Sequence, residues 1–270
     1  MCLSMKKGTF AVVQAAEDEL KSDPKYRWDN AARTDGTALV VQRTIAGTGF
    51  LEDVEGRHEV PPGFAILFSH GEDTRYGFPP ESTVPYRLQF IAFRPTSFVS
   101  ELFDRVRRDF GSVVRLPEVS EAQALFVEIM KRFRAHNFRD RFEECELLIR
   151  LLIALYREQV EDSRSSDPIE FGYHFLHNRF RLPINLKLVA EECRVSREHF
   201  IREFTRRFRE SPGAMLRRLR LEHAQSVLKT TELSVEDVAL ANGFTSTDTF
   251  SRAFRRQYGM TPAEARGSRS

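Results

Sequence analysis

No apolar run in this 270-residue chain approaches the ~18 residues that a membrane-spanning helix needs, which excludes a helical membrane protein. Cysteine is scarce. Cys2, Cys145 and Cys193 are far apart and odd in number, with no CxxC and no Cys/His cluster, so neither a disulfide framework nor a zinc site is expected. Residues 1–10 hold two lysines with no apolar core behind them, so no secretory leader is read there. Reduced thiols without an export signal point to the cytoplasm. Charge of one sign is lacking too, since 41 Lys and Arg stand against 39 Asp and Glu. That balance hides an asymmetry. Residues 168–270 carry 18 basic against 12 acidic side chains, nearly all of the basic ones arginine, and residues 1–167 carry 23 against 27. A basic tail behind a mildly acidic front suggests a polyanionic partner for the tail, although arginine-rich helices are commonly just solvated.

A chain of this length is expected to form two domains. The first half reads as strands. Residues 39–45 are β-rich, and Gly47-Thr48-Gly49 turns them; residues 50–54, 58–60 and 64–68 follow between Gly and Pro turns. Tyr86, Leu88, Phe90 and Ala92 alternate with Arg87 and Gln89, the period of a half-buried strand. Short strands at this spacing predict a β-sandwich or small barrel. Helical spacing takes over after Pro95, over 120–138 and again over 142–160. The second stretch carries Leu147, Leu148, Leu151, Leu152 and Leu155. That stripe fits either a helix packed on the β-domain or a subunit interface. Residues 161–168 are polar, Ser-rich and closed by Pro168, and are expected to form a linker.

The tail contains a repeat. Val189-Ala190 matches Val238-Ala239 at an offset of 49 residues, and Ser196, Phe200, Phe204, Phe208 and Pro212 match Ser246, Phe250, Phe254, Tyr258 and Pro262 at an offset of 50. The register slips once, where Arg194-Val195-Ser196 becomes Gly243-Phe244-Thr245-Ser246. Each copy reads as helix, short turn, helix. Ser196, Ser234 and Ser246 stand as N-caps, Gly243 as a helix stop, and Ser211-Pro212 and Thr261-Pro262 as cap plus first-turn proline. Phe200/Phe204 and Phe250/Phe254, four apart, face inward. Arg197, Glu198, Ile201, Arg202 and Arg206 are then left outward in one copy, and Thr247, Asp248, Thr249, Ser251, Arg252, Arg255 and Arg256 in the other. A helix pair of this form sets its second helix into the DNA major groove. Helical bundles contain such pairs as well, but two in register with outward arginines favour double-stranded DNA as the partner. Residues 212–230 form a long helix between the copies and would hold the two at a fixed spacing.

Residues 184–266 resemble the DNA-binding domain of the AraC/XylS family throughout. The phrases Leu233-Ser234-Val235-Glu236-Asp237-Val238-Ala239 and Phe250-Ser251-Arg252-Ala253-Phe254-Arg255-Arg256, closed by Gly259-Met260-Thr261-Pro262, carry the likeness. The resemblance implies that the outward positions touch DNA. Copy one departs in placing Glu198 and Ile201 where members often have longer polar or aromatic readers. Residues 40–95 resemble the family's cupin-like sensor domain, through Thr44-Ile45-Ala46-Gly47-Thr48-Gly49, Pro62-Gly63, Arg75-Tyr76-Gly77 and Phe90-Ile91-Ala92-Phe93-Arg94-Pro95. The implied fold is α+β. A cupin-like effector-sensing and dimerisation domain spans residues 1–160, with helices at its C-terminal end, and an all-α double helix-turn-helix domain spans 169–270. The implied protein is a homodimeric, cytoplasmic transcription activator that binds a small-molecule effector, a carbohydrate in sugar-sensing members, and contacts RNA polymerase. Ala46 lacks the polar side chain some of those members use.

Catalytic, cofactor and metal sites are not expected. A cupin enzyme holds its metal with clustered His and carboxylates, whereas His58 and His70 stand alone and read as surface or turn residues; a metal-dependent cupin fused to a DNA-binding tail is the runner-up, and a regulator without an effector a third reading. Trp28, the sole tryptophan, either closes a ligand pocket or anchors the N-terminal arm in the core. Tyr76, Tyr86, Leu88 and Phe90 are candidates to line the same pocket, and plain core suits them equally.

Overall fold

In the computed structural model, residues 9–23, 25–33, 38–79, 81–82 and 84–267 are described. Cys2 and the stretch 1–8, most of the segment on which the expectation about a leader rests, lie outside them. The chain divides into two compact units, the first ending at Gln159 and the second beginning at Val160.

The first unit holds two antiparallel sheets. β1 (Val12–Lys21), β8 (Tyr86–Arg94), β3 (Leu39–Ala46), β6 (Phe64–Ser69) and β9 (Val113–Arg115) form one, in that order. β2 (Arg27–Asp29), β7 (Arg75–Gly77), β4 (Gly49–Asp53) and β5 (Gly56–Val60) form the other. The alternation of side chains decides what each sheet face meets. Leu39, Val41, Leu67, Ile91 and Phe93 turn to the helices. Val40, Ile66, Phe68 and Ala92 turn to Leu51, Val60 and Tyr76 of the second sheet. β3 is buried on both faces from Leu39 to Thr44, and its polar residues there find partners, Gln42 with Tyr86, Arg43 with Gln89 and Thr44 with the Val60 carbonyl.

Three helices cover the outer face of the larger sheet: α1 (Ser97–Phe110), α2 (Glu121–Arg134) and α3 (Arg141–Ser166). Thr96 and Ser120 cap the first two by accepting the N–H of Val99 and Gln123. The leucine stripe belongs to this core. Leu147, Leu148, Leu151, Leu152 and Leu155 are at most 7% exposed and pack on Phe103, Phe126 and Phe93. The packed-helix reading therefore holds for these residues, and they leave nothing for a partner subunit. α2 stops at Arg134 rather than running to residue 138, because His136 takes a left-handed φ of 50°.

The expected linker is also corrected. Residues 161–166 are the last turns of α3, and only Asp167 separates them from α4 (Pro168–Arg179). Ser163 and Ser166 fit a helix because their hydroxyls bond back to it: Ser163 Oγ donates to the Val160 carbonyl and Ser166 Oγ to that of Asp162. Arg164 adds ion pairs to Glu161 and Glu192 at 3.2 and 3.0 Å. Pro168 ends the run, since it disfavours helical geometry at Asp167. Asp167 then caps α4 through the N–H of Glu170.

The second unit continues with α5 (Leu186–Glu192), α6 (Arg197–Phe208), α7 (Pro212–Thr230), α8 (Val235–Ala241), α9 (Thr247–Tyr258) and α10 (Pro262–Gly267). Its described residues form two cores. Phe171, Phe175, Val189, Cys193, Phe200 and Phe204 make the first; Val238, Ala239, Phe250, Phe254 and Ala265 make the second. α7 serves both, with Met215, Leu216 and Leu219 in the first and Leu221, Ala224 and Leu228 in the second. Gly172 sits in the interior of α4, where an added Cβ would lie 2.3 Å from the Phe200 ring; the glycine lets α4 cross α6 this closely.

Candidate nucleic-acid interface and internal cavity

Both helix pairs are built by the same local rules. Ser196 Oγ accepts the N–H of His199, and Ser246 Oγ that of Thr249, so both second helices start on a serine cap. Ser234 accepts the N–H of Asp237 and donates back to its carboxylate. Thr261 and Glu264 cap each other reciprocally, a capping box on α10. The tight turns close with one bond pattern: the Val195 N–H reaches the Ala190 carbonyl and the Phe244 N–H that of Ala239. Gly243 takes φ +73° there, as its position requires, while Arg194 in the first copy takes φ +56° without glycine's freedom.

Phe200, Phe204, Phe250 and Phe254 are fully buried. Arg202 and Arg252 lie two residues after the first phenylalanine of each pair, about 200° round the helix, and so centre the outward faces. Arg197, Glu198, Arg202, Arg206, Asp248, Thr249, Arg252, Arg255 and Arg256 are exposed; Ile201, Thr247 and Ser251 are half-buried at the edges. The two faces differ in their ion pairs. In α6, Arg202 Nε donates to Glu203 Oε1 at 3.0 Å and Arg206 Nε to Glu203 Oε2 at 2.9 Å. Arg202 Nη2 also meets His199 Nδ1 at 3.1 Å, which must accept because a guanidinium only donates. Arg202 and then Arg206 hold the Glu203 carboxyl below its usual range. In α9, Arg252 Nη2 donates to Asp248 Oδ2 at 2.7 Å.

The spacing of the two heads rests on residues that pattern reading passed over. Arg220 of α7 donates from Nε to the Phe180 carbonyl at 2.7 Å and from Nη2 to that of Leu182 at 2.9 Å, and its guanidinium packs over Gly243. One side chain thus ties the loop before α5 to the turn after α8. His223 Nδ1 meets Asn242 Oδ1 at 2.6 Å, and the buried Asn242 donates to the Val238 carbonyl. No periodicity marks either polar contact, because each joins distant segments.

A cavity of about 270 Å³ lies between the sheets of the first unit. Trp28, Tyr76 and Phe90 line it, together with Tyr26, Gln42 and His70. Tyr86 and Leu88 do not. They pack with Phe78 in a closed cluster beside it, and Tyr86 OH accepts from Gln42 Nε2 at 3.1 Å. Trp28 is 45% exposed, so the core-anchor reading gives way: it sits at the cavity wall with the Arg33 guanidinium 4.4 Å over its ring. Arg33 Nη2 donates to Tyr76 OH at 2.6 Å, and Lys21 pairs with Glu19 at 3.0 Å on the same wall. Burial pushes the Tyr76 phenol up to about 12 and raises Tyr26 as well, so both stay protonated across physiological pH. His70 lines this space, stacked on Phe68, while His58 of β5 pairs with Asp53 of β4. Among the described residues no three His, Cys, Asp or Glu side chains gather as a metal site.

Residues 21–152 match the family profile described as an AraC-like ligand binding domain, and residues 189–268 match one described as a helix-turn-helix domain. The chain belongs to the AraC/XylS family. An uncharacterized HTH-type transcriptional regulator of Staphylococcus aureus (strain COL) is 22% identical over 241 residues, 86% of this chain and 32% of the relative. The HTH-type transcriptional activator RhaS of Escherichia coli is 26% identical over 154 residues, 57% of this chain and 48% of the relative. The chain thus spans about a third to a half of the length of these AraC/XylS relatives. Among solved structures, the DNA-binding domain of AdpA in complex with a target DNA is 29% identical, covering 38% of this chain and 92% of that one at a TM-score of 0.36.

Proposed function

We propose that this AraC/XylS chain is a sequence-specific DNA-binding transcription activator controlled by a small molecule held in its first unit. The observation that carries the reading is the pair of capped second helices, α6 and α9, each turning arginines outward from its own phenylalanine core. Side chains near the N-terminal ends of α6 and α9 meet base edges, while arginines further along hold phosphates. Filter retention of random duplex DNA by the full chain tests this: retention at low salt and release at high salt support it, and no retention at any salt contradicts it.

The effector belongs in the cavity between the sheets. Trp28 and Tyr76 offer aromatic faces, and Glu19, Lys21, Arg33 and Gln42 offer charged and amide groups to hydroxyls. That combination suits a carbohydrate. A space of about 270 Å³ stands at the small end of ligand pockets, the size of a single ring. Because Trp28 is the sole tryptophan, its fluorescence reports on this cavity alone. Titration with a panel of monosaccharides is expected to shift or quench the emission saturably with at least one sugar. Unchanged emission across the panel, with saturable change on small organic acids instead, contradicts the carbohydrate class.

The working unit is a cytoplasmic homodimer that contacts RNA polymerase. With the leucine stripe buried, the subunit contact uses other surface of the first unit, where Val127 of α2 and Phe142 of α3 are among the exposed apolar side chains.

A further inference from the structure

The two outward faces share a plan but not an ion-pair pattern. Glu198 and Arg202 in α6 stand where Asp248 and Arg252 stand in α9. In α6 the acidic residue leaves its arginine alone. Arg202 commits Nε to Glu203 and Nη2 to His199, so the side-on edge of its guanidinium is engaged by its own helix. In α9 the acidic residue one turn ahead takes a single donor of the arginine, at 2.7 Å, and draws the guanidinium toward the N-terminal end of the helix. Among the described residues Arg252 keeps Nε and Nη1 uncommitted, and both side chains of the pair are about three-quarters exposed. A guanidinium has five N–H donors, so four stay available in a fixed plane.

Two-point donation to guanine O6 and N7 is the commonest specific contact an arginine makes in the major groove, and it needs the guanidinium plane set before docking. A carboxylate on the same helix face sets that plane. It also neutralises the arginine, which weakens its attraction to phosphate. Building on the DNA-binding reading above, we propose that Asp248 is a positioning residue that fixes Arg252 to read a guanine, making the second helix pair the stricter reader of the two. Arg252 then acts on base preference and not on salt dependence, whereas Arg255 and Arg256, which form no close ion pair among the described residues, Arg255 only sensing Glu264 at longer range, act the other way round.

Selected-site sequencing and salt titrations with the full chain test this. For the unmodified protein, one guanine position is expected to be preferred about 5- to 150-fold over other bases. Arg252→Ala should flatten that position and leave the salt slope unchanged. Asp248→Ala should lower the preference at the same guanine several-fold and steepen the salt slope by about one, because the released guanidinium now neutralises a phosphate. Asp248→Asn, which keeps an acceptor, should fall between. The pair's exposure means that thermal unfolding should shift by only a few degrees, the small effect of a first-turn acid and an exposed i,i+4 pair, which separates positioning from a role in the core. An unchanged guanine preference in Asp248→Ala overturns the proposal while leaving DNA binding intact. So does a change at a cytosine instead, which would make Asp248 a direct reader. An unmodified chain that retains no DNA overturns both.

Discussion

Phe250→Ala and Phe200→Ala are each expected to destabilise the second unit by about 3–5 kcal/mol, a large part of the about 5–15 kcal/mol that holds a typical domain together. Each ring is fully buried at the centre of its own core, in edge or tilted contact with the next phenylalanine four residues on. The losses should be local in sequence. Phe250 touches the core of α8, α9, α10 and the second half of α7, and Phe200 that of α4, α5, α6 and the first half. Amide hydrogen exchange on Phe250→Ala should therefore show lost protection over 235–267 with α4 to α6 still protected, and Phe200→Ala the reverse. Equal loss across 168–267 in both variants would mean that α7 and the Arg220 tie weld the copies into one cooperative body.

The full chain should bind duplex DNA with a steep dependence on salt. Arg197, Arg255 and Arg256 are exposed and form no close ion pair among the described residues, so three neutralised phosphates is the low end of the expected range. Adding Arg202 and Arg206 gives five. Counterion release converts three and five contacts into slopes of log K against log salt of about −2.7 and about −4.5 per chain. Between 50 and 200 mM salt the affinity should then fall by about 40-fold to about 500-fold. The ion pairs of Arg202 and Arg206 to Glu203 place the expected slope toward the shallower end. A slope near zero would mean that the arginines are only solvated.

The parts legible in the sequence were those that repeat or alternate. The caps at Ser196, Ser234 and Ser246, the stop at Gly243 and the inward phenylalanines follow from local chemistry at fixed spacing, and the helix over 212–230 needed only its proline and its apolar face. β1 escaped because it is an edge strand carrying Glu17, Asp18 and Glu19, the charges that discourage further pairing and blur a strand pattern. β9 is three residues long, and its partner on the open side is the Gln159 amide, bonded to both the N–H and the carbonyl of Arg115. Residues 161–168 misled because Ser and Pro signal a loop unless the hydroxyls find helix carbonyls. In the cavity, aromatic alternation along β8 could not separate Phe90, which lines it, from Tyr86 and Leu88, which close against Phe78. Arg33, Lys21 and Gln42 come from separate strands and a turn, and only the fold brings them together.

The most direct test of the doubled reading unit is the layout of the sites that the full chain selects from random duplex DNA. α7 is 19 residues long and is anchored in both cores, so the two second helices are held at a fixed separation on one rod. Two successive major-groove faces on one side of the duplex lie about 10–10.5 base pairs apart. The account predicts two enriched blocks of different sequence at that spacing, with Arg252→Ala flattening only one of them. A single enriched block, or no enrichment above the starting pool, would contradict it.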